Sequence, residues 1–195
     1  MLWRTPSRIR RCPAGFIRPA QPILAAKPPS GPGWTHEVKH DGFRVLVLKQ
    51  GEWVRVWSRR GADFTERFPR IAEAVRALPA EQALIDGEAV VFRSDGLSDF
   101  AAIRTKAGAA EASYVAFDLL TLAGKDIRLQ PIEDRRAERR RHPVQRTDRG
   151  RRRARIRQSV RPGPRRHRLE AGARPHRSGP SPSLRKIKNP AFART

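Results

Sequence analysis

An arginine-rich stretch in the second half of the chain limits what the sequence can fold into. Between positions 135 and 177 there are eighteen arginines, no lysine and almost no apolar periodicity. A segment this highly charged buries too little apolar surface to offset the entropy lost on ordering it. We therefore expect the stretch to be disordered, and we expect the core to come mainly from the residues before it.

Residues 34–133 carry the patterns of a mixed α+β domain. Apolar residues at helical spacing between Phe68 and Leu78 predict a helix that ends at Pro79. Ser98 is the predicted N-cap of a second, short helix. Alternating or apolar runs predict strands at Trp34–Val38, Val45–Leu48, Trp53–Trp57, Ala83–Phe92 (broken at residues 86–88), Tyr114–Leu120 and Leu184–Pro190.

The 195 residues carry a formal net charge of +23, which favours nucleic acid or another polyanion as a partner. This charge is unevenly placed, because a basic N-terminal arm at residues 1–13 adds to the arginine-rich stretch. The single cysteine, Cys12, excludes an internal disulfide framework and favours a reducing cytoplasm. No apolar run is long enough to span a bilayer, so we expect no membrane partner.

Residues 37–44 read EVKHDGFR and place Lys39 between two carboxylates, shortly before a glycine turn and an arginine. A lysine acts as a nucleophile only after losing its proton, which near neutral pH requires desolvation or a neighbouring cation. Arg44 is a candidate for that cation and for a phosphate ligand. Asp41 and Gly42 favour a tight turn between two strands. An ordinary surface hairpin with scattered charge explains the same residues.

Four other fragments combine charged or aromatic groups with turns and strands. Each alone has an ordinary explanation, such as solvated arginines, a core phenylalanine or lysines that protect an edge strand. The two lysines of the last fragment share one strand face, since side chains repeat every second residue. The fragments are SRRG at 58–61, DGE at 86–88, VAFD at 115–118 and KIK at 186–188.

In this order and spacing, the five fragments resemble the adenylation domain of ATP-dependent DNA ligases, above all the bacterial end-joining group of the ligase D type. The resemblance covers residues 14–134 and again 177–195. It implies an α+β nucleotidyltransferase fold of two twisted antiparallel sheets with flanking helices, whose C-terminal part is disrupted in this chain. It also implies that ATP binds in the cleft between the sheets.

The resemblance assigns a role to each of eight residues. Lys39 matches the lysine that attacks the α-phosphate of ATP and becomes lysyl-AMP. Magnesium is the expected metal, because it bridges triphosphate oxygens, and Glu88 matches the acid that contacts the ribose or the metal. The other implied ATP-binding residues are Glu37 at the adenine side, Arg44 and Arg59 at the ribose and phosphate, Phe117 stacked on adenine, and Lys186 and Lys188 at the transferring phosphate.

One motif of the family is absent. The resemblance implies a strand reading EGIVxK between Asp118 and Lys186, whose acid and lysine serve the metal and the phosphate. Residues 165–172 read RRHRLEAG instead, although suitable codons read one nucleotide later spell EGIVSKR. We therefore interpret residues 135–176 as a frameshifted or disordered segment, with the altered frame running from about 136 to about 176. The rival interpretation is a genuine basic tail that grips DNA.

The expected function is that of an ATP-dependent DNA ligase adenylation domain, which forms lysyl-AMP and seals nicked duplex DNA in repair, in the company of end-joining proteins. We expect the lost motif to impair this chain. Residues 177–195 would end the domain, with no OB-fold domain after them. Two alternatives stay open: a non-catalytic basic DNA-binding protein on a degenerate ligase scaffold, and an RNA ligase or capping-type nucleotidyltransferase.

Overall fold

The structure is a computed structural model that describes residues 13–26, 34–141, 167–171 and 175–187. In these residues the strands form one sheet of five and one of four, and helices flank them. The expected α+β fold with two sheets is confirmed. In chain order the elements are β1 (Ala20–Ala25), β2 (Trp34–Val38), β3 (Phe43–Gln50), β4 (Trp53–Ser58), α1 (Pro69–Arg76), β5 (Gln82–Val90), α2 (Phe100–Arg104), α3 (Lys106–Ala110), β6 (Ser113–Leu122), β7 (Lys125–Asp126), α4 (Ile132–Arg141), β8 (His167–Ala171) and β9 (Gly179–Ile187).

The five-stranded sheet is antiparallel throughout and has the order β4-β3-β5-β6-β7. Its first two strands, β4 and β3, were predicted as strands and form a hairpin. Gly51 lies in the turn of that hairpin with a φ of +57°, a left-handed conformation that glycine adopts without strain.

Helix α1 packs on one face of this sheet and builds the main core with it. Phe68 takes the N-cap position, and a proline occupies the first turn, where its missing N–H is harmless. Ile71 and Val75, four residues apart on one helix face, are both buried. The helix ends at Arg76, earlier than the predicted stop at Pro79. None of the helices in the described ranges is long and apolar enough to cross a membrane.

Two sequence expectations about this region are wrong in detail. Asp99, not Ser98, caps α2, because its carboxylate accepts an N–H of the first turn at 2.8 Å. Strand β5 runs unbroken through residues 86–88, and the irregularity lies in its pairing with β6. Gly87 is needed there for close packing rather than for a bend, since an added Cβ would overlap the ring of Tyr114.

The four-stranded sheet has the order β1-β9-β8-β2. Strand β8 is antiparallel to both of its neighbours, but β1 and β9 are parallel, so this sheet is not antiparallel throughout as expected. Parallel neighbours require a long crossover connection, and here most of the chain lies between them. The pair brings Lys186 of β9 beside Leu24 of β1.

The arginine-rich stretch differs from the sequence expectation at both of its ends. Helix α4 runs through the expected boundary, and Arg135 and Arg136 are buried. Near the other end, residues 167–171 form β8, an inner strand of the four-stranded sheet. An arginine is tolerated in a core when a carboxylate pairs with it, and Asp118 pairs with Arg135 here. The parts of the predicted disordered segment at 142–166 and 172–174 lie outside the described residues.

Candidate functional site

The face of the five-stranded sheet opposite α1 is apolar at one end and charged at the other. Along β3, Leu46 lies on this face, and so does Arg44, two residues earlier. Along β5, alternation places Asp86 and Glu88 on the same face, next to the strand that carries Arg44. Phe16 packs over the apolar end. The charged end is the candidate functional site.

A bulge in β6 adds an aromatic side chain and an acid to the charged end. Ala116 and Asp118 pair with successive residues of β5, which leaves Phe117 as the extra residue of the ladder. Ala116 and Leu119 pack toward the main core. Phe117 and Asp118, which lie between them, therefore both face the candidate site, although strict alternation would put them on opposite faces.

Arg44 is the centre of this arrangement. Its Nε and Nη2 donate to the two carboxylate oxygens of Asp86 at 2.7 and 2.6 Å, a bidentate geometry. Its guanidinium carbon lies 4.4 Å from the centre of the Phe117 ring. Nη2 also donates to the carbonyl oxygen of Ala20 in β1 at 3.1 Å, so Arg44 links the two sheets.

The charge of Arg44 is fixed by its surroundings. Burial opposes the charged form, but the attraction and hydrogen bonds of Asp86, together with the charges of Glu88 and Asp118, outweigh it and raise the pKa of the Arg44 guanidinium above its ordinary value. The side chain is 15% exposed, so this cation is held near the surface of the site. Such a fixed cation suits a ligand that carries phosphate.

A second buried ion pair lies directly beside the first. Arg135 of α4 donates through Nε and Nη2 to the two oxygens of Asp118, at 2.8 and 3.0 Å, and the two side chains are 1% and 5% exposed. Asp118 pairs with Asp86 across the strands. Sequence reasoning missed both ion pairs. The available signal was the acid Asp118 directly after Phe117 in an apolar strand, but the sequence did not identify Arg135 as its partner.

Lys39 lies in the loop between β2 and β3. Its Nζ donates to the carbonyl oxygen of His40 at 3.0 Å and lies 3.9 Å from Oδ1 of Asp41. The side chain is 22% exposed, which leaves it reachable from solvent, while its amine is held by the His40 carbonyl and attracted by the Asp41 carboxylate. The loop therefore presents a partly desolvated lysine at the start of the strand that carries Arg44.

The loop that carries Lys39 is anchored at three points. The N–H of Asp41 donates to Oγ of Ser98 at 3.3 Å, which is the role Ser98 has in place of the predicted helix cap. The ring of His40 meets the ring of Phe92 edge-on, with centres 5.3 Å apart. Gly42 packs so closely on β5 that an added Cβ would overlap a carbonyl oxygen of that strand.

The structure brings together half of the eight predicted site residues. Arg44, Glu88 and Phe117 share the charged end of one sheet face, and Lys39 lies in the adjoining loop. Arg44, Glu88 and Phe117 come from three different strands and become neighbours only in the fold, whereas Lys39 lies five residues before Arg44 in the sequence.

The other four predicted residues are placed less closely. The N–H of Arg59 donates to the carbonyl oxygen of Arg44 at 3.1 Å, so the two lie at the same end of the sheet, and the Arg59 side chain is exposed. Lys186 lies in β9 of the other sheet. The backbone of Glu37 lies in β2, and Lys188 lies outside the described residues.

A histidine that the sequence did not single out lies against the two ion pairs. The N–H of His176 donates to the carbonyl oxygen of Arg128 at 2.8 Å. Both ring nitrogens are buried and make no hydrogen bond within the described part of the chain. Burial lowers the pKa of His176 below its ordinary value, although the carboxylates of Asp118 and Asp86 act in the opposite direction.

The described residues contain no group of three or more His, Cys, Asp or Glu side chains arranged to hold a metal ion. Glu88, the predicted metal ligand, is the cross-strand neighbour of Arg44. Magnesium bound with a triphosphate takes most of its ligands from phosphate oxygens and water and needs only one or two protein carboxylates. Glu88 fits an ion of that kind.

The chain is similar to known proteins. A family model described as "ATP dependent DNA ligase domain" matches residues 21–149. The chain is 37% identical over 125 residues to the multifunctional non-homologous end joining protein LigD of Pseudomonas aeruginosa. The matched region covers 63% of this chain and 15% of that protein. It is 35% identical over 134 residues to DNA ligase C of Mycobacterium tuberculosis, covering 61% of this chain and 36% of that one.

The fold is shared with solved structures. The ligase domain of M. tuberculosis LigD superposes with a TM-score of 0.65 at 21% identity, over 87% of this chain and 60% of that one. A mycobacterial DNA ligase D complexed with ATP and MES gives a TM-score of 0.62 at the same identity and the same share of this chain. At this level of identity the likeness concerns the fold. The chain spans about a third or less of the length of the two curated relatives.

Proposed function

This chain belongs to the family of ATP-dependent DNA ligase domains, and we propose that its candidate site binds ATP and transfers AMP to Lys39. The placement of Lys39 carries the proposal. It lies in a loop packed against β5, just before the strand that presents Arg44 beside Phe117. A nucleophile, a fixed cation and an aromatic surface within one rigid sheet end suit a nucleotide better than they suit a generic polyanion.

In the proposed step, the neutral Nζ of Lys39 forms a bond to the α-phosphorus of ATP. The bond from that phosphorus to the bridging oxygen breaks, pyrophosphate leaves with the electron pair, and the nitrogen gives its proton to solvent. Such a transfer needs in-line positioning and cations around the oxygens that gain charge. Arg44 supplies one cation, and we propose Arg59, Lys186 and Lys188 for the remaining phosphate contacts.

The nucleoside is proposed to lie along the charged sheet face. Arg44 occupies one side of the Phe117 ring, so adenine would stack on the other side, with Glu37 at its edge. Glu88 would contact the ribose or hold a magnesium ion together with the phosphates. That ion, when bound, would neutralise triphosphate charge and favour departure of pyrophosphate.

The later steps are proposed from the family and from the relatives' names. AMP would pass from Lys39 to the 5′-phosphate of nicked duplex DNA and be displaced by the 3′-hydroxyl. Because the P. aeruginosa relative is named as a non-homologous end joining protein, the same repair context is proposed here. A cytoplasmic location remains a prediction from the single cysteine.

The test is transfer of label from ATP to the purified chain in the presence of Mg²⁺. We expect label from the α-phosphate, and none from the γ-phosphate, to stay on the denatured chain. Lys39→Ala should abolish it, whereas the exposed Lys125 of β7 offers a matched control, and Lys125→Ala should leave it unchanged. Label that survives in Lys39→Ala contradicts the proposed nucleophile. We expect the adduct to be weak, since the EGIVxK motif is missing.

A second candidate function is favoured by the eighteen arginines of the stretch. A non-catalytic DNA-binding protein would hold duplex DNA through phosphate contacts alone. Its affinity would fall steeply with salt and would not change with ATP or in Lys39→Ala. If nicked RNA or capped ends accept AMP better than nicked DNA, the RNA ligase or capping-type alternative is favoured instead.

A further inference from the structure

Arg135 is almost completely buried, and all of its nitrogens are engaged by the protein. Nε and Nη2 hold Asp118, while Nη1 donates to the carbonyl oxygens of Arg128 and Gln130. The side chain is 1% exposed, so it cannot meet a ligand directly. Any effect of Arg135 on the site must therefore pass through the groups that it holds, and Asp118 is the one that reaches the site face.

Asp118 stabilises the bulge that presents Phe117. Its Oδ1 accepts the N–H of Leu119 at 2.9 Å as well as the Nε of Arg135. A bulge interrupts the ladder locally and leaves backbone groups that need other partners. The Asp118 carboxylate is one such partner, because it accepts the N–H of Leu119, and Asp118 is the residue next to Phe117. The orientation of the Phe117 ring thus depends on where Arg135 holds Asp118.

The same ion pair protects the setting of Arg44. Asp86 and Asp118 are direct cross-strand neighbours, and like charges in that relation repel each other. Each acid has its own arginine, Arg44 for Asp86 and Arg135 for Asp118. Without Arg135, the unpaired Asp118 would compete for Arg44, and the guanidinium would move from its place over the Phe117 ring.

We propose that Arg135, from helix α4, is a positioning residue for the nucleoside end of the site, acting through Asp118 on Phe117 and Arg44. The inference rests on the proposed ATP binding and deepens it by identifying what sets the aromatic platform. It also gives a function to an arginine at the edge of a stretch that composition alone marks as unfolded.

The experiment compares the affinities of the chain for ATP and for inorganic tripolyphosphate, which has no base, by calorimetry. We expect Arg135→Gln to weaken ATP binding roughly tenfold, as loss of one base–aromatic stack would. Tripolyphosphate binding should weaken by a smaller factor, because Arg44 is one of several proposed phosphate contacts. Arg135→Lys should recover part of the loss. Arg70→Gln, which breaks a surface ion pair with Glu111, is the matched control and should change neither.

Each outcome is decisive for the inference. Unchanged ATP affinity in Arg135→Gln overturns it and leaves the proposed function intact, as does equal loss of ATP and tripolyphosphate binding. If the unmodified chain binds tripolyphosphate but not ATP, the proposed function fails and the inference fails with it. Should circular dichroism show that Arg135→Gln does not fold, the nearly isosteric Asp118→Asn carries the same comparison, with the same selective loss expected.

Discussion

At the scale of single residues, Gly42 sets how closely the Lys39 loop packs on β5. In Gly42→Ala the new methyl group meets a backbone carbonyl of β5, which cannot move aside as a side chain would. We expect the loop to shift, with a loss of stability of about 1–3 kcal/mol from overpacking. Because small displacements of a reacting group cost about a hundredfold in rate, the labelling of Lys39 should fall far more than stability does. Chemical denaturation and the ATP-labelling rate measure the two effects.

The control for that change is Gly96→Ala. Gly96 has open space around its Cβ position and a φ of +79°, so alanine there is strained but does not clash. It should lose a similar amount of stability and keep its labelling rate. If the two alanine variants lose labelling equally, the loop is not held by Gly42.

Single residues also show which parts of the candidate site the sequence can predict and which it cannot. The EVKHDGFR fragment makes Lys39 and Arg44 candidates, and the family resemblance predicts their site roles; the structure has Lys39 in a loop and Arg44 on the strand that follows it. The sequence does not identify Asp86 and Asp118 as site residues, because it does not show whether an acid in an apolar strand faces the core or the cleft. Their importance comes from Arg44 and Arg135, which lie 42 and 17 positions away along the chain.

At the scale of elements, β6 shows the limit of periodicity. Alternation along its sequence predicts a strand correctly but puts Ala116 and Asp118 on one face. The bulge separates them, sending Ala116 to the core and Asp118 to the site. That bulge depends on the match between β5 and β6, including the tight fit of Tyr114 over Gly87, and such cross-strand geometry is not written in either strand alone.

The segment that carries His176 should make stability depend on pH. His176 packs near Asp118 and Asp86 of the sheet and near Arg135 and Arg128. Its pKa is lowered in the folded chain, mainly by burial, from the ordinary 6.5. The unfolded chain therefore takes up the proton first, and the stability that the neutral ring provides is complete above the ordinary pKa and lost as the pH falls below it. We expect Tm to fall between pH 7 and pH 5, measured by thermal unfolding, and His176→Gln to flatten that fall.

Asp63→Asn is the control for this pH effect. Although burial opposes it, hydrogen bonds from Thr65 lower the pKa of Asp63 below its ordinary 3.8, so this acid does not titrate between pH 5 and pH 7. Its variant should keep the slope of the unmodified chain. An unchanged slope in His176→Gln would show that another group titrates in its place.

At the scale of the whole molecule, ion pairs and strand pairing show which residues fit the fold in the present reading frame. Arg135 fits the core as a partner of Asp118, which supports the expected frame up to that position. Beyond residues 142–166, which lie outside the described ranges, the chain fits again, because residues 167–171 form β8 between β2 and β9, and β9 pairs with β1. An altered frame from about 136 to about 176 stays a prediction, which the nucleotide sequence of the gene would test.

The final prediction concerns that interval. In the neighbouring frame, the reading EGIVSKR would place a lysine at position 170, within β8, between β2 and β9. Removing one preorganised charged group from such a site commonly costs about a hundredfold to a thousandfold in rate. A chain carrying the neighbouring-frame reading of residues 136–176 should therefore label Lys39 at least a hundredfold faster, and it should bind duplex DNA with a weaker salt dependence because many arginines are lost. Sequencing the gene comes first: a neighbouring frame without EGIVxK would mean that the arginines are authentic, and the DNA-binding candidate would then account better for this chain.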